Sequence, residues 1–156
     1  MKICVFSDSH GYAGNMIKAI ELERPALCFF LGDGERDFDA LLDRYPALPF
    51  YAVRGNCDFR SQASSSVICN IMGVSIFATH GHMYNVKYEP SLDTLTARAV
   101  EAGADVALFG HTHQQYMSYQ MGVLVINPGS IGRGTYPCYA VLEIDKGNCS
   151  ADLRTL

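Results

Sequence analysis

Lys2-Ile3-Cys4-Val5-Phe6-Ser7-Asp8-Ser9-His10-Gly11 decides how the rest of the chain is read. Ile3 to Phe6 is an apolar run of strand length, and Asp8 and His10 follow at once. A carboxylate and an imidazole two residues apart, just past a strand's carboxyl end, can turn toward one point outside the sheet. That edge is where α/β proteins place ligands. The arrangement recurs along the chain. Asp33 follows Leu27-Cys28-Phe29-Phe30-Leu31-Gly32, Asn56 follows Phe50-Tyr51-Ala52-Val53-Arg54-Gly55, and His80 follows Val74-Ser75-Ile76-Phe77-Ala78-Thr79. His111 and His113 follow Val106-Ala107-Leu108-Phe109-Gly110. Five strand ends thus deliver metal-type side chains to one edge, which predicts a two-metal site with the remaining chain as its scaffold.

Outward from that stretch, Asn15 is predicted to cap a helix over residues 16–23 that Pro25 ends. Residues 26–31 are apolar throughout, as in a strand covered on both faces. A second helix is expected over 37–45 before Pro46, and a third strand from Pro49 to the Arg54–Asp58 turn. This is βαβαβ, so a parallel sheet. Beyond the polar Ser64-Ser65-Ser66 loop, a hairpin is expected across Met72-Gly73. Ser91 is predicted to cap a helix over 92–102 with Gly103 just past its end. Two further hairpins are expected across Met121-Gly122 and Lys146-Gly147-Asn148, making the second half mostly antiparallel. Two stacked mixed sheets with outer helices bury this many strands.

The chain has 156 residues, 49% hydrophobic and 18% charged, with a net charge of −4. A single domain over 1–156 is expected, with about two-thirds of its unfolded surface buried. A large nucleic-acid surface is disfavoured, since that would be basic. No apolar run approaches the ~20 residues of a membrane span, and the amino terminus does not read as a signal peptide, so a cytoplasmic location is expected. Cys4, Cys28, Cys69, Cys138 and Cys149 lie in apolar runs without a C-x-x-C pair and read as small buried hydrophobes. Cys57 sits inside a motif instead.

All five histidines, His10, His80, His82, His111 and His113, lie just after apolar runs. Imidazole, carboxylate and amide donors together suit a borderline divalent metal such as Mn, Fe, Zn or Ni. Without thiolate ligands, a structural cysteine-rich zinc site is disfavoured.

Asp8-x-His10, Gly32-Asp33, Gly55-Asn56, His80 and Gly110-His111-x-His113, in this order, resemble the calcineurin-like metallophosphoesterase family. Gly55-Asn56-Cys57-Asp58 and Asn127-Pro128-Gly129-Ser130 resemble its compact bacterial and archaeal YfcE-type phosphodiesterase branch. The resemblance implies a four-layer α/β/β/α sandwich. It also implies that one metal takes Asp8, His10, Asp33 and His113, and the other Asp33, Asn56, His80 and His111, with Asp33 bridging. Among these groups only a carboxylate can bridge two cations about 3.5–4 Å apart. Such a pair lowers the pKa of a shared water, and the resulting metal-bound hydroxide attacks phosphorus in line.

Many larger family members have His after the Asn of this motif, where it can protonate the leaving group; here the residue is Cys57, a weaker acid near pH 7. His82 is a candidate substitute. A cysteine-dependent phosphatase is excluded, because residue 63 is Ala and Arg60 lies only three residues after Cys57. Arg54 and Arg133 flank motifs and are candidate grips for substrate oxygens. The function expected is a dinuclear-metal phosphodiesterase acting on a small phosphorylated substrate, with two divalent ions, Mn first, and a homodimer or larger assembly. A phosphomonoesterase or pyrophosphate hydrolase is the alternative within the class. A catalytically silent, retromer-subunit-like protein-binding scaffold is the alternative outside it.

Overall fold

The computed structural model describes all 156 residues. In chain order the elements are β1 (Lys2–Phe6), α1 (Gly14–Glu23), β2 (Leu27–Phe30), α2 (Glu35–Arg44), β3 (Phe50–Ala52), β4 (Ser66–Ile71) and β5 (Val74–Thr79). A 3₁₀ turn (His82–Tyr84) follows, then α3 (Asp93–Glu101), β6 (Val106–Leu108), β7 (Gln115–Gln120), β8 (Val123–Pro128), β9 (Cys138–Asp145) and β10 (Asn148–Thr155).

Two five-stranded mixed sheets form, ordered β10-β9-β1-β2-β3 and β4-β5-β6-β8-β7. The period-2 alternation of strand side chains sorts the apolar residues into three cores. Ile3 and Val5 of β1, with Phe29, Ile76, Leu108 and Ile126, fill the space between the sheets. Cys4 and Phe6, pointing the other way, pack with Met16, Ala19 and Ile20 of α1 and Leu41 of α2. Phe77, Ala107 and Val125 do the same with Leu95 and Ala99 of α3 on the second sheet. This is the four-layer α/β/β/α sandwich. Each fully buried large apolar side chain stabilises it by about 1.5–3 kcal/mol.

The three hairpins share one turn chemistry. Met72-Gly73, Met121-Gly122 and Lys146-Gly147 all have positive φ at both positions, as a type I′ turn requires. The last turn is tighter than expected: Asn148 belongs to β10 and pairs with Asp145.

The second half is less antiparallel than its hairpins suggest. β5, β6 and β8 run parallel, and their antiparallel partners β4 and β7 are pushed to the edges. The reason is α3, which makes β5-α3-β6 a crossover unit. β9 then pairs antiparallel with β1 in the first sheet.

The caps also differ. Asn15 does not cap α1; its amide donates to the Ile131 and Gly132 carbonyls at 3.0 Å each. Ser91 donates to Asp93, while Glu89 accepts the Thr94 backbone N–H near the start of α3. Of the cysteines read as buried, only Cys4 and Cys28 are so; Cys69, Cys138 and Cys149 are half-buried because their strands lie at or near sheet edges.

Candidate metal centre

The parallel strands β1, β2, β3, β5 and β6 all end at one rim, where the two sheets meet. Asp8 and His10 come from the turn after β1, Asp33 from that after β2, and Asn56 from that after β3. His80 follows β5, and His111 and His113 follow β6. Asp8, His10, Asp33, His111 and His113 all have positive φ, between 46° and 67°. A left-handed residue at a strand end swings its side chain off the strand direction, and Asp and His tolerate it better than most.

Their ligand atoms gather in two overlapping groups. His113 Nε2 lies 3.2 Å from Asp8 Oδ1 and 3.2 Å from His10 Nε2. His80 Nε2 lies 3.1 Å from Asn56 Oδ1, 3.1 Å from His111 Nδ1 and 3.5 Å from Asp33 Oδ2. His10 Nε2 reaches Asp33 Oδ2 at 4.0 Å, so Asp33 stands between the groups.

Backbone and glycine hold these carboxylates in place. The Cys57 N–H donates to Asp33 Oδ1 at 2.8 Å, and the His111 N–H to Asp8 Oδ2 at 3.1 Å. A Cβ on Gly55 would sit 2.0 Å from Asp33 Oδ1, and one on Gly110 1.9 Å from Ser7 Oγ. Only glycine fits at either place.

Two further carboxylates do structural work that the sequence did not disclose. Asp58 accepts backbone N–H groups from Asp33, Gly34, Glu35 and Gly55, joining the turn after β3 to the start of α2. Asp37 accepts from Ser9, Gly11 and Tyr12, fixing the turn after β1. The signal was faint: Asp58 follows the Gly55-Asn56 pair, and Asp37 lies in a helix's first turn.

The donor set fits metal ions. Asp8 is fully buried, yet its Oδ1 has no hydrogen-bond partner. His80 Nδ1 must donate to the Leu31 carbonyl, 2.7 Å away, because that oxygen only accepts. In the neutral ring Nε2 is then a bare lone pair facing the oxygens of Asn56 and Asp33, an arrangement that asks for a cation between them.

The charges at the centre act on one another. Burial opposes ionisation of Asp33, but the His80 and Cys57 contacts outweigh it and hold its carboxyl well below the usual range. Burial likewise opposes the His80 cation, and the Asp33 hydrogen bond with the Asp8 and Asp33 charges reverses this and raises its pKa. Burial, then the His80 charge, brings His111 down to about 4.

The remaining candidates lie around this centre. The His82 ring is 5.4 Å from that of His80, and its buried Nδ1 has no partner. Burial and then the His80 charge lower its pKa. Cys57 Sγ groups with His10 and Asp33, and its thiol is pushed up to about 11 by burial and by Asp33. Arg54 is exposed, and its charge is felt at His82. Arg133 lies over the Tyr12 ring, 5.0 Å from its centroid. Ser130 donates to the Asp8 carbonyl and shapes the rim. A cleft of about 330 Å³ opens beside His10, Asp33 and Cys57, and its wall includes Arg36 and Arg60. Neither arginine was read from the sequence as a substrate contact, since no motif contains them.

The family model described as "Calcineurin-like phosphoesterase superfamily domain" matches residues 1–147. The chain belongs to this superfamily. As a calcineurin-like phosphoesterase it is a metal-dependent hydrolase of phosphate esters. A probable metallophosphoesterase of Bacillus subtilis is 33% identical over 132 residues, covering 84% of this chain and 75% of its own. A phosphodiesterase of Methanocaldococcus jannaschii is 30% identical over 149 residues, covering 83% of each. A Streptococcus pneumoniae protein titled a predicted phosphoesterase superposes with a TM-score of 0.82 at 29% identity, over 99% of this chain and 88% of that one. Entamoeba histolytica Vps29, crystallised with zinc, shares the fold at a TM-score of 0.77, covers 99% of both chains and is 19% identical. No helix is long and apolar enough to cross a membrane.

Proposed function

We propose that this phosphoesterase is a dinuclear-metal phosphodiesterase acting on a small phosphorylated substrate by in-line displacement. The observation that carries the reading is the gathering of nitrogen and oxygen donors around Asp33, one of them, Asp8 Oδ1, buried and unpartnered. Asp8, His10, Asp33 and His113 would hold one ion, and Asp33, Asn56, His80 and His111 the other. Two divalent ions held there would supply charge neutralisation on the phosphoryl oxygens and a water acidic enough to ionise near neutral pH. Mn is the first candidate, with Ni, Fe and Zn sharing the donor preference.

The chain's own groups orient this chemistry. The Leu31 carbonyl fixes the His80 tautomer. The Cys57 N–H fixes the Asp33 carboxylate. The Cys57 thiol and the His82 ring adjoin the donor set, but the raised pKa makes the thiol a weak acid and the lowered pKa leaves the His82 ring mostly without a proton to give at neutral pH. Esters with stable leaving groups are therefore favoured. Diesters come ahead of monoesters because the M. jannaschii relative carries that name. The complete donor set argues against a scaffold-only role.

The test is metal-stripped protein reloaded with Mn, Ni, Zn or Mg and assayed on bis(p-nitrophenyl) phosphate, p-nitrophenyl phosphate and alkyl esters. Faster diester cleavage that needs the metal is expected. Protein that binds two metal ions and cleaves neither class overturns the reading. A Cys57→His variant is expected to help alkyl esters more than aryl esters, because a proton helps most where the leaving oxygen is most basic. If His82 already supplies the proton, His82→Ala selectively slows the alkyl esters instead.

A further inference from the structure

The cleft against α2 has a wall that the metal chemistry does not use. Arg36 and Arg60 line it beside His10, Asp33 and Cys57. Arg44, Arg98 and Arg154 are each committed to a carboxylate within 4.0 Å, whereas Arg36 and Arg60, like Arg24, Arg54 and Arg133, form no ion pair, and only these two of the five line this cleft. Of the four carboxylates in the cleft, Asp33 belongs to the donor set, Asp37 is engaged by the turn after β1 and Asp58 by four backbone N–H groups. Glu35 remains, half-buried. Between Asp58 and Arg60 stands Phe59, 91% exposed and also lining the cleft.

The backbone segments that carry the arginines are tied together. Asp58 accepts from Gly34 and Glu35, directly before Arg36, and itself lies two residues before Arg60. One buried carboxylate thus fixes the backbone that carries both guanidinium groups and the phenyl ring. Guanidinium is the side chain best matched to phosphate oxygens, and an exposed ring offers a stacking face to any base.

We propose that this cleft is a subsite for a nucleotide-type substrate, with Arg36 and Arg60 gripping a second phosphate and Phe59 stacking on the base. The proposal rests on the diesterase reading above and names its substrate class. The phosphate to be cleaved lies at the metal centre, and the other lies in the arginine cleft.

The test uses a matched pair of esters on the Mn-loaded full chain: thymidine 5′-(p-nitrophenyl phosphate), with and without a 3′-phosphate. The extra phosphate is expected to raise kcat/KM at least ~10-fold, mostly through KM. In the Arg36→Gln, Arg60→Gln double variant that ratio is expected to fall close to one. Phe59→Ala is expected to lower kcat/KM for both thymidine esters relative to bis(p-nitrophenyl) phosphate. A wild-type ratio near one overturns the subsite, as does a ratio that survives in the double variant. If the wild type cleaves neither ester, the diesterase reading fails separately. The same comparison is then made by calorimetry with thymidine 3′,5′-bisphosphate and thymidine 5′-monophosphate, where equal affinities overturn the subsite and ~10-fold tighter bisphosphate binding supports it.

Discussion

Two buried carboxylates at opposite ends of the first sheet show what distinguishes a structural charge from a functional one. Glu23, at the end of α1, is 6% exposed, and Asp8, past the end of β1, is 0% exposed. Around Glu23 every charge is answered: Tyr139 and Arg154 donate to Oε1, and Lys2 to Oε2. Asp8 leaves Oδ1 with no donor and faces the ring nitrogens of His10, His80 and His113. The first cluster is complete as folded. The second is complete only with a cation, so the two should fail in different ways when altered.

The sharpest expected difference is in turnover. Asp33→Asn, at the junction of the two donor groups, should lower kcat on a diester by ~10³-fold or more, with the circular dichroism spectrum unchanged. Near wild-type kcat in folded Asp33→Asn protein would remove the metal centre from the account. Glu23→Gln should do the opposite, leaving kcat within about twofold and reducing unfolding free energy by about 1–3 kcal/mol in a urea titration.

The acid limb of stability sharpens the same contrast. Burial opposes the Glu23 charge, but Tyr139, Lys2 and Arg154 overcome it and hold its pKa below the usual 4.5. A depressed folded pKa contributes stability that is present above the unfolded value and lost as pH falls through the folded one. Urea midpoints measured from about pH 7 to pH 3 should therefore fall less steeply below pH ~4.5 in Glu23→Gln than in wild type. The smallest effect is expected for Asp8→Asn in chelator-treated protein. Its unfolding free energy should change by less than about 0.5 kcal/mol, because no donor to Oδ1 is lost and the amide oxygen still accepts from His111. A large destabilisation would mean that Asp8 belongs with Glu23.

The fold was legible where a local pattern and the tertiary structure agree. The apolar run of β1 and the X-Gly turns of the three hairpins needed no partner from elsewhere in the chain. The rim donors Asp8 to His113 stood out because each closes an apolar run. Legibility failed where a short polar side chain had a distant partner on offer. Asn15 was drawn to Ile131 and Gly132, 116 and 117 residues away, rather than to its own helix. Asp58 was hidden for the same reason, as its donors come mostly from the turn after β2. The parallel run β5-β6-β8 was missed because hairpins show in local sequence and crossovers do not. Arg36 and Arg60 line one cleft because Asp58 ties their backbone segments together, so nothing in their own neighbourhoods marks them.

The positive φ values of Asp8, His10, Asp33, His111 and His113 bear on engineering. Each is a conformation that glycine adopts freely and that costs a side-chain-bearing residue about 1–2 kcal/mol. A stabilisation campaign guided by backbone preference alone would nominate glycine at these positions and erase the rim. Selection for heat resistance without selection for activity should drift the same way. These five sites are therefore where the chain's thermal tolerance and its chemistry are in direct competition.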